Sequence, residues 1–227
     1  ILCAVLATVN EVSCESRVKN LVVLEMENHS FDNMLGWLKR KNPEIDGLTG
    51  KECNMADPND PTSKTFCVTD KGALVDPDPG HTVPDTAHQI YGKKEITSDM
   101  ENDPNSINMS GFIATESTHG EAGTKFAEHI MDCIPPEHAP IINTLADEFA
   151  IFDKFYSGIP GPTFPNRLFS MSASSEGYVT NDKNKTIQGW TQKSIFDSLN
   201  DANIDWKIYF HDAASPWLFK SLRTPKN

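Results

Sequence analysis

Apolar residues fall in short blocks along this chain, and the spacing inside each block predicts its element. Leu21, Val22, Val23 and Leu24 form a continuous run, the pattern of a buried strand, predicted over 17–26. Phe31, Met34, Leu35, Trp37 and Leu38 then recur at threes and fours. That spacing predicts a helix over 31–40 packed on the strand, with Lys39, Arg40 and Lys41 complementing the dipole at its end. Between the two blocks lies a dense polar cluster, Glu25, Glu27, Asn28, His29, Ser30 and Asp32. Open α/β sheets place their ligand sites at such strand ends. The plainer alternative is a strand–turn–helix in which Ser30 and Asp32 only cap the helix.

Further along, residues 42–80 are irregular and end in the turn-forming run Asp76-Pro77-Asp78-Pro79-Gly80. A short helix is predicted over 82–91, with His81 at its entrance and His88 on it. Residues 92–125 are polar and irregular. Ile141, Ile142, Leu145 and Phe149 predict a helix over 137–149, started by Pro135-Pro136, and a strand over 150–155 follows. A helix over 192–201, a strand over 204–210 and a helix from 215 to 222 repeat the alternation. Helices alternating with apolar strands predict an α/β fold.

One more segment carries chemistry. In residues 158–167, GIPGPTFPNR, the prolines and glycines force a shaped turn, and Thr163 stands where a helix begins. A hydroxyl there faces free backbone N–H groups and the positive end of the dipole, a place for a phosphate held against a nucleophile. Plain capping by Thr163 is the alternative.

Composition narrows the partners. The chain has 227 residues and a net charge of −12, which argues against nucleic acid and against electrostatic docking on anionic lipid. Residues 1–12, ILCAVLATVNEV, are too short to span a bilayer and read as the tail of a signal-peptide apolar region, or else as an apolar first strand. Residues 1–16 are accordingly expected to be a signal-peptide remnant, and the chain to start within a longer precursor. Cys53 and Cys67 bracket a polar loop and would close it as a disulfide in a secreted protein. Asn28, Asn108 and Asn184 each open a glycosylation sequon.

Taken together, the segments resemble one family. Glu27-Asn28-His29-Ser30-Phe31-Asp32 with Gly36 is similar to the ENRSFDxxxG motif of the phosphoesterase family that holds plant non-specific phospholipases C, bacterial phosphatidylcholine-type phospholipases C and some acid phosphatases. Thr163-Phe164-Pro165-Asn166-Arg167 is similar to its TxPNR motif, and the run ending at His81 and the segments over 194–209 fit in order. The resemblance covers about residues 18 to 223 and implies an alkaline-phosphatase-like α/β three-layer sandwich with a mostly parallel sheet, incomplete at the C-terminus. It implies Glu27 and Asn28 as ligands of a divalent metal ion, Ca or Zn among the candidates, since a carboxylate and an amide oxygen are hard donors. It implies Thr163 as nucleophile, Asn166 as a donor to a phosphoryl oxygen, His81 as a group that holds or protonates phosphate, and Arg167 as a substrate-binding residue.

There are two departures. His29 stands where the motif has Arg, and the later DExxxxxDHV-type motif, whose aspartates complete the metal site, does not occur. Residues 17–227 are thus expected to be the N-terminal part of a catalytic domain. The expected activity is a secreted or endomembrane phospholipase C that cleaves glycerophospholipid to diacylglycerol and a phosphorylated headgroup, with peripheral membrane contact. The alternatives are an acid phosphatase on soluble monoesters, or a non-catalytic fragment that binds lipid or a partner. A lipase would expose apolar residues beside the site, for which Trp37, Phe164 and Trp217 are candidates.

Overall fold

In the computed structural model, residues 18–72, 78–118 and 126–223 are described; the expected signal-peptide remnant lies outside them. Local sequence signals decide which elements form. Ser30 caps α1 (Phe31–Leu35) through the Asn33 N–H, and the chain tightens into a 3-10 turn over Gly36–Arg40 with Lys39 and Arg40 in its last turn. Thr82 and Asp85 form a reciprocal capping box at the start of α2 (Val83–Tyr91), where each side chain bonds the other's backbone N–H. Two short helices, α3 (Ser98–Asn102) and α4 (Phe112–Ser117), break up the stretch expected to be irregular. Pro140 opens α5 (Pro140–Glu148), α6 spans Thr163–Ser172, and α7 (Lys183–Gln188) is a further unexpected helix. A second capping box, Ser194 with Asp197, starts α8 (Ile195–Asp201), and residues 215–222 form two 3-10 turns.

The architecture is therefore mixed, helices with a small sheet. Among the described residues the sheet is one antiparallel pair, β1 (Cys53–Met55) with β2 (Thr65–Cys67), in register Cys53↔Cys67. Those two cysteines are joined, as expected, in a disulfide.

The strands expected over 17–26, 150–155 and 204–210 do not form. In the described part of each, the backbone makes no ladder and most side chains stand in solvent: Leu21 is 85%, Phe155 86% and Tyr209 91% exposed, while Trp206 is half-buried against Phe196. The reason is where the hydrogen bonds come from. A helix closes its own ladder locally, whereas a strand in a parallel sheet depends on neighbours delivered by long crossovers. No such neighbour lies alongside these runs among the described residues.

Much of the buried apolar surface among the described residues gathers in two clusters. Trp37, Leu48, Val68 and Cys133, with Met131 against them, pack under the disulfide hairpin; Leu168, Met171, Trp190, Leu218 and Phe219 form the second around α6. Trp37, one of the candidate lipid-facing residues, is core: it is 4% exposed and lies under the Arg40 guanidinium at 3.8 Å. No helix among the described residues is long and apolar enough to cross a membrane.

Candidate active site

The site is built from three segments: the loop before α1, the turn before α2, and the first turns of α6. Asn28 has φ 69°, the left-handed region. Asn tolerates it better than most residues, and non-glycine residues held there cluster at functional sites. Its amide Nδ2 donates to Asp78 Oδ1 at 2.8 Å across 50 positions of sequence. The amide oxygen, the end that would face a cation, is thereby turned away from Asp78. Glu27, beside it, receives the Arg167 guanidinium: Nε donates to Oε2 at 2.9 Å, and the second terminal nitrogen donates to Oε1. The bond to Glu27, opposed by burial and reinforced by the carboxylate's charge, holds the guanidinium still more firmly protonated than usual.

His81 enters from the second segment. Its Nδ1 is 2.8 Å from the Pro79 carbonyl oxygen, which can only accept, so Nδ1 carries the proton in that bond and Nε2 is the free ring atom. Asp78 Oδ2 lies 3.6 Å from Nδ1. Gly80 is pinned from both sides: its N–H donates to buried Glu116 at 3.3 Å, and its carbonyl accepts from Gln89 Nε2 at 2.7 Å. The loop before His81 is thus fixed to α2 and α4. His88, on α2 itself, is buried, and burial, then Lys94, pushes its pKa down; it is a packing histidine.

The third segment presents Thr163. Pro162, not Thr163, is the N-cap of α6, and no side chain of the cap residue bonds the helix start. Thr163 is the first helical residue and half-buried. The Phe164 N–H is satisfied instead by Asn181 Oδ1 at 2.8 Å. Asn166 shapes the turn. Its Oδ1 accepts the Ile159 N–H at 3.1 Å, and its Nδ2 lies 2.9 to 3.2 Å from the carbonyl oxygens of Ile159, Gly161 and Pro162. The amide expected to donate to a phosphoryl oxygen is engaged with the turn. Gly161 has no room for a side chain, because a Cβ there would come within 2.8 Å of Val83 Cγ2. The turn that delivers Thr163 therefore rests on the first residue of α2, two positions beyond His81.

Four of the expected residues are thus joined through side-chain contacts: Arg167 to Glu27, Asn28 to Asp78, and Asp78 to His81. Thr163 lies four positions before Arg167 on α6, so the two share a helix face. Asn166 stands behind, as a brace. Sequence reasoning missed Asp78 and Asn181. Asp78 sat in a run read only as a turn, and Asn181 carried no signal at all.

The donor chemistry suits a divalent cation in part. Glu27 and Asn28 supply two hard oxygens, but no group of three or more His, Cys, Asp or Glu that could hold a metal occurs among the described residues. As it stands the arrangement pairs the Arg167 guanidinium with Glu27 and the His81 ring with the Asp78 loop, and Thr163 starts the helix that carries Arg167. Beside it lies a cavity of about 490 Å³ lined by Phe164, Arg167, Trp217 and Leu218 among others.

The sequence profile of the Phosphoesterase family matches residues 18–224. The chain is 42% identical over 210 residues to non-specific phospholipase C1 and 41% identical over 214 residues to non-specific phospholipase C6, both of Arabidopsis thaliana. These matches cover 92% and 93% of this chain and 38% of each relative. It is 26% identical over 206 residues to phospholipase C A of Mycobacterium tuberculosis, covering 85% of this chain and 37% of that protein. The chain thus spans somewhat over a third of the length of these relatives.

Proposed function

Because the chain belongs to the Phosphoesterase family, we propose that it forms the nucleophile-bearing part of a phospholipase C-like phosphoric ester hydrolase acting on glycerophospholipids. The observation that carries this reading is that the adjacent Glu27 and Asn28 reach, respectively, Arg167 on the helix that Thr163 starts and, through Asp78, His81. The naming of the relatives as phospholipases C supports the substrate class.

The Thr163 hydroxyl attacks phosphorus, and the bond between phosphorus and the glycerol oxygen breaks. The hydroxyl proton ends on that oxygen, with His81 Nε2 as the atom that hands it over, and diacylglycerol leaves. The phosphothreonine so formed carries the headgroup. Water then adds to phosphorus, the bond to Thr163 breaks with return of a proton to its oxygen, and the phosphorylated headgroup departs. Arg167 keeps N–H groups beyond those it gives Glu27, and these hold the phosphoryl oxygens. Glu27 and Asn28 would hold a divalent cation, together with ligands from beyond this stretch. When bound, such an ion would lower the pKa of the hydroxyl and neutralise phosphoryl charge.

The same reading extends to fold and location. The exposed apolar runs at 21–24, 150–155 and 204–210 belong, in this view, to the parallel sheet of an alkaline-phosphatase-like sandwich whose other strands come from elsewhere in a longer protein. Their exposure supports it, since Leu, Val and Phe in such runs leave water wherever a sheet is offered. The Cys53–Cys67 disulfide supports an oxidising compartment, hence a secreted or endomembrane protein. The short set of metal donors among the described residues favours a second reading, in which this stretch alone holds substrate without turning it over.

The test measures phosphocholine release from phosphatidylcholine with added divalent metal, for the 227-residue chain and for a longer protein that carries it. The longer protein is expected to turn over, and Thr163→Ala to lower its rate by at least roughly a thousandfold. Full retention of activity by that variant would sink the nucleophile assignment. Turnover of a soluble aryl phosphate but not of lipid would convert the reading to a phosphatase.

A further inference from the structure

The cavity beside α6 has no role in the chemistry above. It measures about 490 Å³, within the roughly 300–1,000 Å³ of small-molecule sites and more than a phosphate needs. Two of its lining residues, Phe164 and Arg167, belong to the first turns of α6, the helix that Thr163 starts. Its remaining wall is chiefly apolar, built by Ala214 and by Trp217 and Leu218 of the 3-10 turn that follows α8, with the hydroxyls of Thr186 and Ser215 beside them. Leu218 is buried and Trp217 is 56% exposed, its ring 6.3 Å from that of Phe210. Arg223 closes the far side. Its guanidinium is spent on backbone, donating to the carbonyl oxygens of Trp217 and Ile187 at 2.8 and 2.5 Å and to that of Thr186.

We infer that this cavity is the subsite for the diacylglycerol half of the substrate, resting on the assignment of Thr163 as nucleophile. A phosphodiester whose oxygens reach Arg167 has one of its two ester alcohols within reach of the cavity that Arg167 lines, and the apolar wall decides which. An apolar wall with an indole at its rim fits glycerol and the first methylenes of its acyl chains, and gives no purchase to a charged or sugar-like alcohol. Trp217 and Phe210 then form the lip that meets the lipid surface, a role suited to aromatic side chains with one wet edge. The contact is apolar, in keeping with a chain of net charge −12 that no anionic bilayer would draw in.

Isothermal titration calorimetry on the 227-residue chain decides it, with dihexanoylglycerol as one probe and inorganic phosphate as the other. Wild-type protein is expected to bind dihexanoylglycerol saturably. Trp217→Ala, at an exposed position, and Ser215→Trp, which fills the cavity, are expected to weaken that binding by about tenfold or more while thermal melts and phosphate binding stay unchanged. Dihexanoylglycerol bound equally by wild type and both variants, or by none of them, overturns the cavity assignment. Dihexanoylglycerol bound at the cavity by a protein that binds no phosphate upholds the cavity and counts against the catalytic reading instead.

Discussion

Asp78 sets the direction of Asn28. By accepting from Nδ2 it fixes which end of the amide would face a cation if Asn28 holds one as proposed, the part that outer partners of metal ligands commonly play. Asp78→Ala is therefore expected to weaken divalent-metal affinity about tenfold, measured by competition with a chelating dye, while Asp78→Asn, which keeps an acceptor, falls between. Equal affinities would remove Asp78 from the site. A second residue-scale effect lies in the core. Burial, then the charges of Asp32, Asp132 and Glu52, pushes the Cys133 thiol from its ordinary 9.0 up to about 11. In that window the unfolded thiol has given up its proton and the folded one has not. The unfolded state then binds fewer protons, and stability falls as pH rises. The loss amounts to roughly 2–3 kcal/mol across the window. Urea melts of wild type and Cys133→Ala at pH 8 and 11 should diverge by about that amount, wild type losing more; parallel behaviour would mean the thiolate is tolerated.

At the scale of elements, the Cys53–Cys67 bridge closes a loop with a sequence separation of 14 across the sole ladder among the described residues. Replacing both cysteines with serine is expected to cost about 3 kcal/mol, by the loop-entropy argument for a link of this length. A drop in urea midpoint without change of slope would verify it. Which elements could be read beforehand follows from where their hydrogen bonds close. Ser30, Thr82 with Asp85, and Ser194 with Asp197 write their helix starts within four residues, and those helices appear where their patterns predict. Residues 21–24 carry an equally clear apolar pattern, yet a strand needs a partner that no local signal names. The site divides the same way. Glu27, Asn28, His81, Thr163 and Arg167 were legible as motif residues. Asp78 acts across 50 positions and Asn181 across 17, through contacts that only the folded chain creates. Asn166 was legible as a site residue but not as a brace, because its partners are backbone carbonyls that any sequence would supply.

For the molecule as a whole, two modest buried clusters coexist with long apolar stretches in water. That exposure has a calorimetric consequence. The heat capacity gained on unfolding comes from apolar surface newly hydrated, and Leu21, Val22, Phe152, Phe155 and Tyr209 are hydrated already. A fully packed chain of 227 residues would gain roughly 2.7–3.4 kcal/mol/K, from about 12–15 cal/mol/K per residue. This chain should gain distinctly less in differential scanning calorimetry, and its stability should bend less sharply with temperature. A longer protein that covers those runs should recover the missing heat capacity in a single transition.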